Sequence, residues 1–141
     1  METTDKTVIT VEATIDASID KVWEAWNAPE HITQWCSASD DWHTPKSEND
    51  LRPGGKFLSR MEARDGSMGF DFEGIYDEVT PNKLISYTMG DGRRVEITFT
   101  DNGGQTFVSE SFEAESMNPA DMQQAGWQAI LNSFKKYTEA L

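Results

Sequence analysis

Residues 93–113 read RRVEITFTDNGGQTFVSESFE. On either side of Asn102-Gly103-Gly104 the apolar positions alternate, with Val95, Ile97 and Phe99 before it and Val108 and Phe112 after it. A period of two marks a strand with one buried face, and an Asn-Gly-Gly step supplies the positive backbone angles of a tight turn. The stretch is expected to fold as an antiparallel hairpin, with Glu110 on its apolar face. With Thr100 opposite Gln105, Phe99 faces Thr106, Ile97 faces Val108 and Val95 faces Glu110. Arg93 then lies diagonal to Glu110, within reach of its long side chain. An inward Arg–Glu pair is costly to desolvate, so it marks a structural or functional position rather than a stabilising one. Three readings stand for Glu110: a polar anchor for a ligand carbonyl or hydroxyl, a satisfied pair at a cavity mouth, or a solvated residue on a strand shifted by one.

The same alternation runs outward from the hairpin. Upstream, Asp91-Gly92, Thr80-Pro81-Asn82 and Asp65-Gly66 read as turns between strands at Leu84–Met89, at 68–76 and at 56–61. Met68, Phe70, Phe72, Gly74 and Tyr76 share one face, as do Phe57, Ser59 and Met61. Residues 37–55 are polar. They are expected to hold a loop over Asp40-Asp41-Trp42-His43 that acts as a lid, a short strand near 47–51 and a turn at Pro53-Gly54-Gly55. Residues 7–15 alternate through Ile9, Val11, Ala13 and Ile15, another half-buried strand. Ser18 then caps a helix with Asp20 in its first turn, and Ile19, Val22, Trp23 and Trp26 form its apolar stripe. Pro29 opens a second short helix whose apolar side is Ile32, Trp35 and Cys36. The chain closes with a long helix, expected to be capped by Asn118 with Pro119 in its first position. Trp127, Ile130, Leu131, Phe134, Tyr137 and Leu141 recur at its helical spacing. The order is strand, two short helices, six strands, long helix: an α+β chain in which only the last helix is long enough to cover the apolar face of the meander. A curved sheet gripping a helix leaves a cleft of the kind that binds small molecules.

Composition bounds the alternatives. The 141 residues make one domain, 1–141, large enough to bury a core, and the 37% hydrophobic and 11% aromatic content does not suit a disordered chain. The net charge is −13, with 13 acids in residues 1–70 and 12 in residues 71–141. That even acidic surface disfavours nucleic acid and anionic membranes as partners. No apolar run approaches the roughly 20 residues of a bilayer span, and no leader peptide is visible, so a cytoplasmic location is expected. The single Cys36 excludes an internal disulfide.

Four segments together resemble the SRPBCC superfamily: VEATIDASIDKVWEAWNAPEHITQWC (11–36), LRPGGKF (51–57), GFDFEGIYDEVTPNKLISY (69–87) and GWQAILNSFKKY (126–137). Within it the chain is similar to the bacterial branch related to the activator of the ninety-kilodalton heat-shock chaperone's ATPase. The resemblance implies a START-like or Bet v-like helix-grip fold: a curved antiparallel sheet of six or seven strands around the long C-terminal helix. It also implies a cavity for a hydrophobic ligand, a link to stress response and a heat-shock chaperone as a partner. It supplies no catalytic residues and does not extend to the activator's separate N-terminal domain.

The residues themselves favour binding over catalysis. The histidines are His31, expected at the surface, and His43, which beside Asp40 and Asp41 lacks the convergent geometry of a metal site. Cys36 reads as a small buried hydrophobe, and no nucleophile motif or phosphate loop occurs. The aromatic set Phe57, Phe70, Phe72, Tyr76, Tyr87, Phe99, Phe112, Trp127 and Phe134 is either packed core or pocket lining. Gly126 inside a helix costs about 1 kcal/mol against Ala, so it requires either close backbone approach or room for a ligand. Met122, Gly126 and Ile130 form a row at four-residue spacing, with Gln123 and Gln124 as polar contacts at the entrance. The expected ligand-binding set is Trp42, Phe57, Phe70, Phe72, Tyr76, Tyr87, Arg93, Ile97, Phe99, Glu110, Met122, Gly126 and Ile130, with no metal, no cofactor and no catalytic residue. The functional expectation is a monomer or weak homodimer that holds a small hydrophobic or aromatic molecule. The alternatives are stimulation of a chaperone ATPase, and a cyclase or hydrolase using Glu110, Arg93 or Tyr87 as acid–base groups.

Overall fold

The computed structural model describes residues 7–37 and 39–141. A strand, β1 (Val8–Ile15), is followed by helices α1 (Ile19–Asn27) and α2 (Pro29–Trp35). Six strands come next: β2 (Trp42–Asn49), β3 (Lys56–Ala63), β4 (Gly69–Thr80), β5 (Leu84–Met89), β6 (Arg94–Asp101) and β7 (Thr106–Glu113). Helix α3 (Ala120–Glu139) ends the chain. All seven strands form one curled antiparallel sheet in the order β1-β7-β6-β5-β4-β3-β2, with α3 across its concave side. This is the α+β helix-grip architecture.

Local chemistry explains the elements. The Ser18 side chain accepts from the Lys21 N–H at the start of α1, and Pro29 takes the first position of α2. Gly66, Gly92, Gly103 and Gly104 have positive φ in the three hairpin turns, and Asn82 (φ 64°) does so in the turn between β4 and β5. Along β1, Ile9, Val11 and Ile15 are buried and the intervening residues are exposed or half-buried, as a strand with one wet face requires. β1 is an edge strand with unpaired carbonyls. Gln124 and Gln128 of α3 donate to Thr10 O (3.5 Å) and Glu12 O (3.1 Å), which blunts that edge and seats the helix. The far end of α3 is anchored by Asp16 N–H donating to Glu139 Oε2 (2.8 Å) and by Lys21 Nζ donating to Leu141 O (2.6 Å).

Three expectations shift. β2 begins at Trp42, five residues before the expected strand, so half of the expected lid at 40–43 is strand. β2 lies at the sheet edge and bulges between His43 and Lys46, so Pro45 fits within it, where a missing N–H costs no ladder bond. Pro119, not Asn118, is the N-cap residue of α3. The Asn118 side chain donates to Glu115 Oε1, and the loop ahead of the helix is held instead by Gln123, which donates to Glu115 O (3.1 Å) and Asn118 O (2.8 Å). Finally, the β6–β7 register is displaced by two: Asp101 pairs with Thr106, Phe99 with Val108, Ile97 with Glu110 and Val95 with Phe112. Asp101 accepts from Gly103 N–H (3.0 Å), an Asx turn that carries β6 one residue further, to Asp101, while β7 begins at Thr106 instead of Gln105. A shift of two preserves the inward face, so Glu110 still points to the concave side.

Candidate functional site

The concave face is filled at one end and open at the other. At the filled end Phe134 of α3 meets Trp26 of α1 (ring centroids 4.8 Å) and Trp35 at the end of α2 (4.9 Å), both edge-on. Phe99 of β6 packs edge-on against Trp23 and Trp26. Phe134 and Leu131 are at most 1% exposed. Toward the N-terminal half of α3 the helix and sheet diverge around a cavity of about 480 Å³.

Four rings from the sheet make one wall. Phe57 (β3) meets Tyr87 (β5) at 4.7 Å, Tyr76 (β4) at 5.3 Å and Phe72 (β4) at 5.6 Å. Gly74 lies directly opposite Phe57, and a Cβ there would sit 2.9 Å from its ring, so the glycine lets Phe57 lie on the neighbouring strand. Met122, Gly126, Trp127 and Ile130 form the helical wall. Trp127 stacks on Phe112 (3.9 Å, 11°) and meets Phe72 edge-on at 6.1 Å. A Cβ on Gly126 would find nothing within 4 Å, so of the two reasons considered for this glycine the structure supplies room, not close approach. Trp26, Ile32, Trp35 and Cys36 close the floor. Trp42 and Phe70 stand together at the rim (6.0 Å), with Phe70 47% exposed.

The polar groups fall into two kinds. Tyr76 donates its hydroxyl to Asn49 Oδ1 (2.6 Å), Asn49 donates to Asn27 O (2.7 Å), and Asn27 donates to Trp23 O (2.9 Å). This chain is satisfied and ties β4 and β2 to α1. Glu110 and Tyr87, 7% and 5% exposed, also line the cavity, yet neither side chain forms a hydrogen bond or ion pair with a described residue. Burial alone pushes the Glu110 carboxyl up to about 8, so it is mostly protonated at neutral pH. Burial, then the neighbouring Glu110, raises the Tyr87 hydroxyl well above its usual range. The expected Arg93–Glu110 pair does not form. In the displaced register Arg93 lies beyond the end of β7's inward row and binds Asp91 Oδ2 (2.8 Å) and Glu113 O (3.3 Å), reaching the cavity only at its edge.

Of the thirteen expected residues, Trp42, Phe57, Phe70, Phe72, Tyr76, Tyr87, Arg93, Glu110, Met122, Gly126 and Ile130 line the cavity. Ile97 and Phe99 do not. Ile97 sits in the sheet between Glu110 and Ile85, and Phe99 is covered by the tryptophans of α1. Trp26, Ile32 and Trp35 reach the cavity without having been expected there. Their helical stripes marked them as buried, but nothing in one sequence tells which end of a core is left unfilled. Gln123 lines the entrance, whereas Gln124 turns outward to β1. His31 is not simply a surface residue: its Nδ1 shares a 2.6 Å hydrogen bond with the Tyr137 hydroxyl and links α2 to α3. His43 faces Glu62 across β2 and β3 at 3.7 Å. Cys36 is buried, and burial pushes its thiol up to about 12, which removes the thiolate a nucleophile needs.

Among the described residues no helix is long and apolar enough to cross a membrane. No curated protein matches the chain. Solved structures do. An AHSA1-like protein from Aeromonas hydrophila is 47% identical, with a TM-score of 0.89 over 95% of this chain and 93% of the other. Chr148 from Cytophaga hutchinsonii is 58% identical, with a TM-score of 0.81 over 94% and 92%. CV1439 from Chromobacterium violaceum, at 22% identity and a TM-score of 0.84 over 94% and 98%, shares the fold. The family model described as "Activator of Hsp90 ATPase homolog 1-like protein" matches residues 16–139, nearly the whole of the helix-grip domain, and the chain belongs to that family.

Proposed function

We propose that this protein binds a small hydrophobic or aromatic molecule in the cavity between the sheet and the N-terminal half of α3. One observation carries the reading: a cavity of about 480 Å³, walled by Phe57, Phe72, Tyr76, Tyr87 and Trp127, lies where Gly126 leaves the helix without a side chain. Protein interiors close to crystal-like density unless something holds them open, and pockets of about 300–1,000 Å³ with apolar walls and few polar groups are the usual form of a ligand site. The aromatic walls suit ring-bearing ligands through edge-on and offset contacts.

N-phenyl-1-naphthylamine, a neutral apolar dye, tests this directly. Its fluorescence is expected to rise on mixing with the protein and to stay low with Gly126→Trp, which places an indole in the opening. A Gly126→Trp protein that still binds the dye at full strength would place the ligand elsewhere. The family's description offers a second reading, stimulation of a chaperone ATPase, which needs a surface rather than a cavity. The ATPase rate of a heat-shock chaperone with wild type and with Gly126→Trp separates the two readings, since a surface function survives the plug.

A further inference from the structure

Resting on the cavity reading, we propose that the Glu110 carboxyl and the Tyr87 hydroxyl form the polar pole of the site, paired donors for the carbonyl oxygen of an otherwise apolar, ring-bearing ligand. Both groups are more than nine-tenths buried, both line the cavity, and neither has a hydrogen-bonding partner among the described residues. Their polar atoms open onto the cavity and are not sealed in packed core as Thr138 Oγ1 is, so a molecule that enters meets two groups with no protein partner to complete them. Other polar groups lining the cavity already have protein partners: Tyr76 and Asn49 bond to each other, Asn27 to Asn49 and Trp23 O, and Ser59 to Ser47.

The chemistry of the pair selects the ligand. A carboxyl in an apolar site stays neutral and then offers an O–H, and a phenol offers another. Two donors are complemented by an acceptor, and a carbonyl oxygen has two lone pairs to receive them. A cation fits less well, since Arg93 lines the same cavity. An anion fits less well too: Arg93 is already engaged by Asp91 and Glu113, and the net charge of −13 opposes further negative charge. Ligation of a carbonyl oxygen by two donors also draws electron density toward that oxygen, so the bound carbonyl stretch moves to lower frequency.

Three probes of one shape separate the alternatives: benzophenone, diphenylmethane and benzhydrylamine, titrated by tryptophan fluorescence. Benzophenone is expected to bind about thirtyfold tighter than diphenylmethane, the worth of two net hydrogen bonds. Its carbonyl stretch should shift down when bound, and both the shift and most of the preference should be lost in Tyr87→Phe and in Glu110→Leu. The ketone's affinity should fall as the pH rises through about 8, where Glu110 ionises, and the profile should flatten in Glu110→Gln. The other titratable or charged groups facing this space are Cys36, Glu48, Tyr76, Tyr87, Arg93 and Glu115. Equal binding of ketone and hydrocarbon with an unshifted stretch would overturn the polar pole and leave the cavity reading standing. Tightest binding of the amine would overturn it in favour of an ionised Glu110. Failure of all three probes, with no N-phenyl-1-naphthylamine signal, would remove the cavity reading and this inference with it.

Discussion

The two halves of α3 each turn one side toward the sheet and meet opposite fates. The C-terminal half sinks Leu131, Phe134 and Thr138 completely, with Phe134 held between Trp26 and Trp35. The N-terminal half lines the cavity with Met122, Gly126 and Trp127, and Met122 is 61% exposed. The difference lies in what stands opposite: α1 and α2 insert tryptophans under one end of the sheet and nothing under the other. A helical stripe therefore reports which side of a helix faces inward, not whether the inside is full.

The sharpest test of that contrast is Phe134→Ala, expected to cost about 3–5 kcal/mol in denaturant titrations because it empties a closed aromatic cluster. A loss under 1 kcal/mol would mean that the filled end is not filled. Next comes Glu110→Gln, expected to stabilise by roughly 2–4 kcal/mol at pH 9. The sign follows from burial. The folded carboxyl titrates near 8 and the unfolded one near 4.5, so between these values the native state holds a proton that the unfolded state has released. Wild-type stability should thus fall from about pH 4.5 to pH 8 and level off above, and Glu110→Gln should remove that slope. A slope that persists in Glu110→Gln would show that Glu110 is hydrated or paired. Smaller still, Gly126→Ala should stabilise by about 1 kcal/mol, since helix propensity improves and the new methyl meets no atom; destabilisation would mean that the helix lies closer to the sheet. Met122→Ala should change stability by less than about 0.5 kcal/mol in the same titration, the counterpart of Phe134 on the open half.

Much of this was legible in the residues. Strand alternation in Val95–Phe99 and Val108–Phe112, the turn glycines, the Ser18 cap and the final apolar stripe are local signals, set by backbone sterics and by one side of an element being wet. They were enough for the element order, and eleven of the thirteen residues expected around a ligand line the cavity, among twenty-six lining residues in all. Where the local reading missed, a longer-range fact prevailed. The polar run ahead of residue 47 reads as loop, yet it pairs with β3 as an edge strand, and the Asp101 side chain bonds into the hairpin turn in a way that the alternation cannot see.

The sequence by itself determined that seven strands and a long helix must share one apolar interior, because each carries a single dry face and no other element is large enough to cover it. Only the tertiary structure decided where that interior stays empty, and that Glu110 stands in it without Arg93. Both depend on distances between elements far apart in the chain. A shift of two residues in one ladder leaves every side chain on its proper face, yet it takes a guanidinium out of reach of the carboxyl it was expected to neutralise.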